Sequence, residues 1–146
     1  MKIQNKIRAA RRRAGFSLAE LMVVIVIIGL LATVVVPKVM DRLKDASWGT
    51  AKADIASIES ALTQYAINNG NYPDSLQVLV EPDVNGRRYL DARAVPQDPW
   101  GNEYGYEPPN SSEPDPRIIC FGADGVPGGD GDEGDRDNFM IKSNEW

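Results

Sequence analysis

The hydropathy pattern of the chain is dominated by one uncharged apolar run. Residues 21–37 contain no Asp, Glu, Lys or Arg, and most of them are Val, Ile or Leu. At about 1.5 Å per residue, a helix of this length spans about 25 Å, the short end of a transmembrane helix. Including residues 16–20 lengthens the helix but adds Glu20, whose carboxylate is costly in hydrocarbon and is therefore a functional candidate. We predict a transmembrane helix over residues 16–37; the alternative for Glu20 is a place among the lipid headgroups.

Beyond Pro37 the pattern becomes that of an amphipathic helix. Proline lacks the backbone donor and clashes with the preceding turn, so we expect a kink or local unwinding there. The apolar positions that follow recur at three- to five-residue steps, as on one face of a helix. They are Val39, Leu43, Ala46, Ala51, Ile55, Ile58, Leu62 and Tyr65. The pattern predicts one long helix that lies on a globular domain and ends at Asn68-Asn69-Gly70-Asn71, because glycine readily adopts the left-handed conformation.

The rest of the chain predicts short elements. Residues 72–79 predict a short helix capped by Asp74 or Ser75, with Leu76, Val78 and Leu79 available for burial. From residue 81 the chain is rich in Pro, Gly, Asn and Asp, interrupted by four apolar patches. The patches at 103–106 and 117–121 predict strands, and those at 88–90 and 139–141 are further strand candidates. The predicted fold class is α+β: a long N-terminal helix, half transmembrane and half amphipathic, packed on a small antiparallel sheet.

Charge separates the first residues from the remainder. Residues 1–15 hold six basic residues and no acid, so the rest carries 10 basic against 21 acidic residues, a balance of −11. Basic residues beside a membrane span hold that end in the cytoplasm, and the acidic remainder should repel nucleic acid. The small residues Ala14-Gly15 precede the apolar run, whereas a secretory signal is cleaved after it. We therefore predict a cleaved leader over residues 1–15, a retained helix over 16–37 and a globular domain over 38–146.

The inventory of reactive side chains predicts no enzyme. The sequence contains no histidine, which argues against a zinc site and most catalytic triads. Cys120 is the single cysteine, so no intramolecular disulfide can form, and its apolar neighbours predict a small buried residue. For Trp100, between Pro99 and Gly101, we predict a packed turn rather than a binding platform.

An acidic, glycine-rich loop precedes the C-terminus. Its acidic residues are Asp124, Asp130, Asp132, Glu133, Asp135 and Asp137, with five glycines among them. Ca²⁺ takes six to eight oxygen ligands, and glycines let a short loop fold back so that oxygens converge. The spacing does not fit an EF-hand. Composition alone leaves two alternatives, a calcium loop or a solvated acidic loop.

The motif Gly15-Phe16-Ser17-Leu18-Ala19-Glu20, followed by an apolar helix with Pro37, resembles the class III signal of type IV pilins and pseudopilins. The resemblance implies that a prepilin peptidase cuts after Gly15 and that Phe16 is N-methylated. It implies that Glu20 pairs with the N-terminal amine of a neighbouring subunit, a partner that offsets the cost of a buried carboxylate. It also implies unwinding around Pro37 inside a helical filament.

Later motifs resemble those of the major pseudopilins of type II secretion systems. They are the Tyr72-Pro73 pair, the run at residues 96–104 and the Phe121-Gly122-Ala123-Asp124-Gly125 segment with its acidic continuation. The resemblance implies a structural subunit of a periplasmic pseudopilus, with a single inner-membrane span and a cytoplasmic N-terminus. Its implied partners are copies of itself, minor pseudopilins, the prepilin peptidase and an inner-membrane assembly platform. The alternative is the major pilin of a type IV pilus used for adhesion, motility or DNA uptake, although many such pilins carry a C-terminal cysteine pair.

The same resemblance implies a structural Ca²⁺ ion in the acidic loop. The expected ligands are the carbonyls of Phe121 and Ala123 and the side chain of Asp124. The downstream ligands stay open, with Asp132 and Asp135 preferred and Asp137 in reserve.

Overall fold

The computed structural model describes residues 15–146, so the predicted leader lies outside the described residues except for Gly15. The chain divides into two units, one that extends to Met40 and one that comprises Asp41–Trp146. A single helix, α1 (Leu18–Asn69), contributes to both.

Helix α1 is as long as the sequence predicts. Its 52 residues include Pro37, and the helix continues through this proline. The local unwinding expected near Pro37 is therefore absent from this single chain. The C-terminal end is as predicted: Gly70 donates its N–H to the carbonyl of Ala66 at 2.8 Å and adopts a φ of 82°.

The first unit has the composition of a membrane span. An 18-residue window of α1 has a mean hydropathy of 2.8, and none of its residues is buried within the described part of the chain. Val, Ile and Leu side chains of the first half of α1 are exposed all round the helix. A helix that is apolar on every side requires an apolar environment from outside its own chain.

The second unit has its core on one face of α1. The buried residues of this helix are Trp48, Ala51, Ile55, Ile58, Ala61 and Leu62. The predicted apolar face is thus confirmed from Ala51 to Leu62, whereas Val39, Leu43 and Ala46 are exposed. Burial begins at Trp48, three residues before Ala51, which continues the same helical spacing.

A three-stranded antiparallel sheet completes the core. Its strands are β1 (Gly105–Glu107), β2 (Arg117–Cys120) and β3 (Arg136–Asp137), in the order β1-β2-β3. Ile119 of β2 pairs with Gly105 on one side and with Asp137 on the other. The two predicted strands at 103–106 and 117–121 are confirmed, although β1 begins two residues later and ends one residue later than predicted, and β2 ends one residue earlier. The α+β fold class is confirmed as well.

Two strand candidates and one helix cap were predicted wrongly. The patch at 88–90 is not a strand: the N–H groups of Tyr89 and Leu90 both donate to the carbonyl of Leu79. The patch at 139–141 lies in helix α2 (Asn138–Ser143), because Asp137 caps it. The predicted short helix is present as a 3₁₀ helix (Leu76–Leu79) that buries Leu76 and Leu79, but its N-cap residue Ser75 makes no side-chain cap bond.

Candidate calcium loop and assembly motif

The assembly motif begins helix α1 with a reciprocal capping box. The N–H of Ser17 donates to Oε2 of Glu20 at 2.8 Å, and the N–H of Glu20 donates to Oγ of Ser17 at 3.1 Å. Each side chain satisfies a backbone donor that the first helical turn leaves free. Glu20 therefore has a partner in its own chain, which the sequence analysis did not foresee. Gly15 and Phe16 precede the helix, and Phe16 is exposed.

The acidic loop folds back on itself through close backbone contacts. The N–H of Ala123 donates to the carbonyl of Asp132 at 2.8 Å. A Cβ on Gly122 would lie 2.6 Å from that same carbonyl oxygen, and Gly122 has a φ of 70°. A Cβ on Gly129 would meet the carbonyl of Glu133 in the same way, also at a positive φ. Glycine is required at both positions because a side chain would push the two arms of the loop apart.

Two of the expected ligands already have partners in the protein. Asp132 forms an ion pair with Lys44 on α1 through Oδ2, at 2.5 Å from Nζ. The Lys44 ammonium lowers the pKa of Asp132. Asp137 uses both oxygens: Oδ1 accepts the N–H of Met140 at 2.9 Å, and Oδ2 accepts two donors of Arg117 at 2.7 and 2.8 Å. Asp137 is therefore a helix cap and an ion-pair partner.

Asp135 and Asp124 retain free ligand capacity. Oδ2 of Asp135 accepts the N–H of Gly128 at 2.9 Å, whereas its Oδ1 is buried without a hydrogen-bond partner among the described residues. A buried carboxylate oxygen without a partner carries a large desolvation cost. Asp124 is exposed, and its Oδ1 accepts the N–H of Val126 at 3.2 Å. Within residues 15–146 no three acidic or cysteine side chains converge as a metal cluster, so a site here needs backbone carbonyls as well.

An aromatic cluster attaches the end of the loop to α1. The guanidinium carbon of Arg136 lies 3.9 Å from the ring centroid of Trp48, a cation–π contact. Trp100 and Trp146 meet the same ring edge-on, at centroid distances of 4.8 and 5.9 Å. The packed-turn interpretation of Trp100 is confirmed. Trp48, to which the sequence analysis gave no role, could have been identified from its helical spacing to Ala51 and Ile55.

Cys120 is a packing residue, as predicted. It is fully buried in β2, and burial is the main cause that raises the pKa of its thiol to about 11. A thiol with so high a pKa is a poor nucleophile at neutral pH.

Two family models match the chain. The model described as type II secretion system (T2SS), protein G matches residues 38–138, and the prokaryotic N-terminal methylation motif matches residues 10–36. The first covers more than half of the chain, and the second covers the Gly15–Glu20 motif. The boundary between the two matches lies near Pro37, where the predicted transmembrane helix ends and the predicted globular domain begins.

Curated relatives agree with the family models. The type II secretion system core protein G of Pseudomonas aeruginosa is 39% identical over 140 residues, covering 88% of this chain and 96% of the relative. The protein of the same name from Vibrio cholerae serotype O1 is 37% identical over 140 residues, covering 90% and 95%. These relatives favour the secretion subunit over the pilus alternative.

A solved structure also resembles the chain. It is the crystal structure of the major pseudopilin from the type 2 secretion system of enterohaemorrhagic Escherichia coli, with a TM-score of 0.55 and 30% identity. The alignment covers 73% of this chain and 98% of that one. Together with the family models and the relatives, this places the chain in the type II secretion system protein G family.

Proposed function

We propose that this chain is the structural subunit that polymerises into the periplasmic pseudopilus of a type II secretion system. The pseudopilus would drive the export of folded proteins across the outer membrane. The observation that carries the proposal is a helix that is apolar on every side and continues into a folded domain of the protein G family. Such a helix is stable only in lipid or against other helices, and a filament supplies those helices. Membership of a secretion-subunit family favours a structural role over catalysis.

The proposed topology follows from the position of charges and apolar residues. Residues 16–37 would cross the inner membrane, and the basic leader would hold the N-terminus in the cytoplasm. Residues 38–146 would then lie in the periplasm. Cleavage after Gly15 by a prepilin peptidase and methylation of Phe16 would leave a methylated Phe at the start of the span.

The proposed assembly uses Glu20 and Pro37. The capping box occupies Oε2 of Glu20, and no described residue donates to its Oε1. That oxygen can face the amine of a neighbouring subunit, and repetition of this contact with a screw rotation gives an open filament. Helix α1 is intact at Pro37 in the single chain. The unwinding that the resemblance implies would therefore occur only when subunits assemble. The partners would be further copies, minor pseudopilins and the inner-membrane assembly platform.

A secretion assay tests this function. In the bacterium that carries this chain, deletion of its gene should stop export of the proteins that the secretion system releases, while pilus-dependent motility and DNA uptake continue. A plasmid copy of the gene should restore export. Unchanged export together with lost motility would instead support the pilus alternative.

We propose in addition that the acidic loop holds a structural Ca²⁺ ion. The donor chemistry fits, because Asp135 presents a buried oxygen that has no partner among residues 15–146, and Asp124 presents a second carboxylate. The carbonyls of Phe121 and Ala123 would complete the protein ligands. We exclude Asp132 and Asp137 from this set because they form ion pairs with Lys44 and Arg117, respectively. A bound divalent cation would offset the repulsion among the loop carboxylates and stabilise the folded state by linkage.

Chelation and one pair of variants test the ion. The melting temperature of the wild-type chain should be higher in excess Ca²⁺ than in EGTA. Asp135→Asn should abolish most of this difference, because it removes the charge from the oxygen that has no partner. Asp130→Asn is the matched control, since Asp130 lies in the same loop and is exposed. A wild-type chain that melts at the same temperature in both conditions would contradict the calcium proposal.

A further inference from the structure

The turn at residues 97–103 is built around one buried carboxylate. Asp98 is 5% exposed, and its Oδ1 accepts the N–H groups of Trp100 at 3.0 Å and Asn102 at 2.8 Å. The backbone closes the same turn, since the N–H of Asp98 donates to the carbonyl of Asn102 and that of Gly101 to the carbonyl of Asp98, both at 2.9 Å. These four hydrogen bonds within residues 98–102 therefore define the shape of this turn.

Asn102 extends from this turn to the first arm of the acidic loop. Its Nδ2 donates to the carbonyl of Gly122 at 3.1 Å, 20 residues along the chain. Its Oδ1 lies against Gly125, where a Cβ would come within 2.5 Å of it. One side chain thus contacts both ends of the segment 122–125, which contains the candidate ligands Ala123 and Asp124.

The same turn also reaches the other end of the loop. Trp100 meets Trp48 edge-on at 4.8 Å, and Trp48 stacks on Arg136 at 3.9 Å. Arg136 follows Asp135 directly in the chain. The two arms of the loop therefore both connect to this one turn, directly through Asn102 and indirectly through Trp100.

We propose that Asn102 is a positioning residue for the calcium loop. It fixes the direction of the Gly122–Gly125 backbone, so that the carbonyls and Asp124 are arranged before the ion binds. Loss of its contacts weakens calcium binding because the loop must then be ordered by the ion itself. This inference rests on the calcium site proposed above, and Asn102 itself is not a ligand.

The test compares asparagine variants in the full chain, purified in detergent micelles. Calcium affinity is measured by titration calorimetry, and melting temperatures are measured in excess Ca²⁺ and in EGTA. Loss of one hydrogen bond predicts that Asn102→Ala weakens calcium affinity by about three- to tenfold. The variant should lower the melting temperature more in Ca²⁺ than in EGTA. Asn110→Ala is the control, because among the described residues the Asn110 side chain accepts only the N–H groups of Ser112 and Glu113 in its own exposed turn and makes no hydrogen bond to the acidic loop.

Three results would overturn the inference in distinguishable ways. Wild-type calcium affinity together with wild-type melting temperatures in Asn102→Ala would exclude the positioning role and leave the calcium site intact. Equal loss of melting temperature in Ca²⁺ and EGTA, without a change of affinity, would make Asn102 a general stability residue. A wild-type chain that binds no calcium would overturn both proposals. Asn102→Ser, whose side chain is too short to reach Gly122, provides the same measurements if the alanine variant does not fold.

Discussion

Asn138 is a fully buried polar residue that connects three elements of the C-terminal unit. Its Oδ1 accepts the N–H of Ile118 at 3.0 Å, and its Nδ2 donates to the carbonyl of Pro116 at 3.0 Å. The same Nδ2 also donates to Oε1 of Glu59 on α1 at 3.2 Å. A buried amide with these partners holds the helix, strand β2 and the start of α2 in one register.

Asn138→Ala should destabilise the folded chain strongly. The substitution leaves the N–H of Ile118 and the carbonyl of Pro116 without their partner, which costs about 2–4 kcal/mol in the free energy of unfolding. Chemical denaturation followed by circular dichroism measures it. Asn71→Ala, at an exposed asparagine, should change stability by less than about 0.5 kcal/mol. Equal effects of the two variants would contradict the role assigned to Asn138.

The elements differ in how far the sequence predicts them. The length and end of α1 are predictable because its apolar periodicity continues over many turns and Gly70 ends it. Strands β1 and β2 are predictable from β-branched and aromatic residues. Strand β3 has only two residues, too few for a periodic signal. Helix α2 is hard to distinguish from a strand in the sequence because Phe139-Met140-Ile141 is a short apolar run without periodicity. The signal that indicates a helix is Asp137, a typical N-cap residue just before it.

Substitutions of Asp137 test how helix α2 is attached to strand β2. Asp137→Ala removes the cap of α2 and the partner of Arg117, and the cap alone should cost about 1–2 kcal/mol. Asp137→Asn keeps an oxygen for the N–H of Met140 and should lose less. Both losses, measured by denaturation, should be the same in Ca²⁺ and in EGTA because Asp137 is placed outside the ion's ligands. A loss of stability that is larger in Ca²⁺ than in EGTA would instead indicate that Asp137 is a calcium ligand.

At the scale of the whole molecule, the candidate site was only partly predictable. Composition and resemblance predict Asp124 and Asp135 as ligands, and both stay candidates because each keeps a carboxylate oxygen free of partners among the described residues. The engagement of Asp132 by Lys44 was not, because the two lie 88 positions apart and only the fold brings them together. The packed turn at Pro99-Trp100-Gly101 is predictable, yet the contacts of Asn102 with Gly122 and Gly125 depend on the same long-range packing.

The C-terminal unit should lose stability at alkaline pH. Two tyrosines and the cysteine of this unit have a raised pKa, and burial is the main cause for each. The pKa of Tyr104 lies above its ordinary value of 10.0, that of Tyr106 is about 12, and that of the Cys120 thiol is about 11. Groups whose pKa is raised by folding stabilise the protein fully below their unfolded pKa, and this contribution is lost as pH rises through the folded value.

Denaturation midpoints measured from about pH 8 to about pH 11 check this expectation. The midpoint should begin to fall once the pH exceeds the ordinary pKa values of the thiol and the phenol. Tyr104→Phe should flatten the decline because it removes the hydroxyl that donates to Asp54 at 3.0 Å. A midpoint independent of pH over this range would contradict the burial argument.

The most direct test of the account is filament formation by Glu20→Gln. Glutamine keeps an oxygen for the N–H of Ser17, so the capping box and helix α1 should persist, but the negative charge is lost. Filaments in the cell-envelope fraction are counted by negative-stain electron microscopy, and mass spectrometry of the chain verifies cleavage after Gly15. The account predicts that Glu20→Gln is inserted and cleaved like the wild type but forms few or no filaments. Wild-type numbers of filaments from this variant would contradict the claim that a charge pair between subunits assembles the pseudopilus.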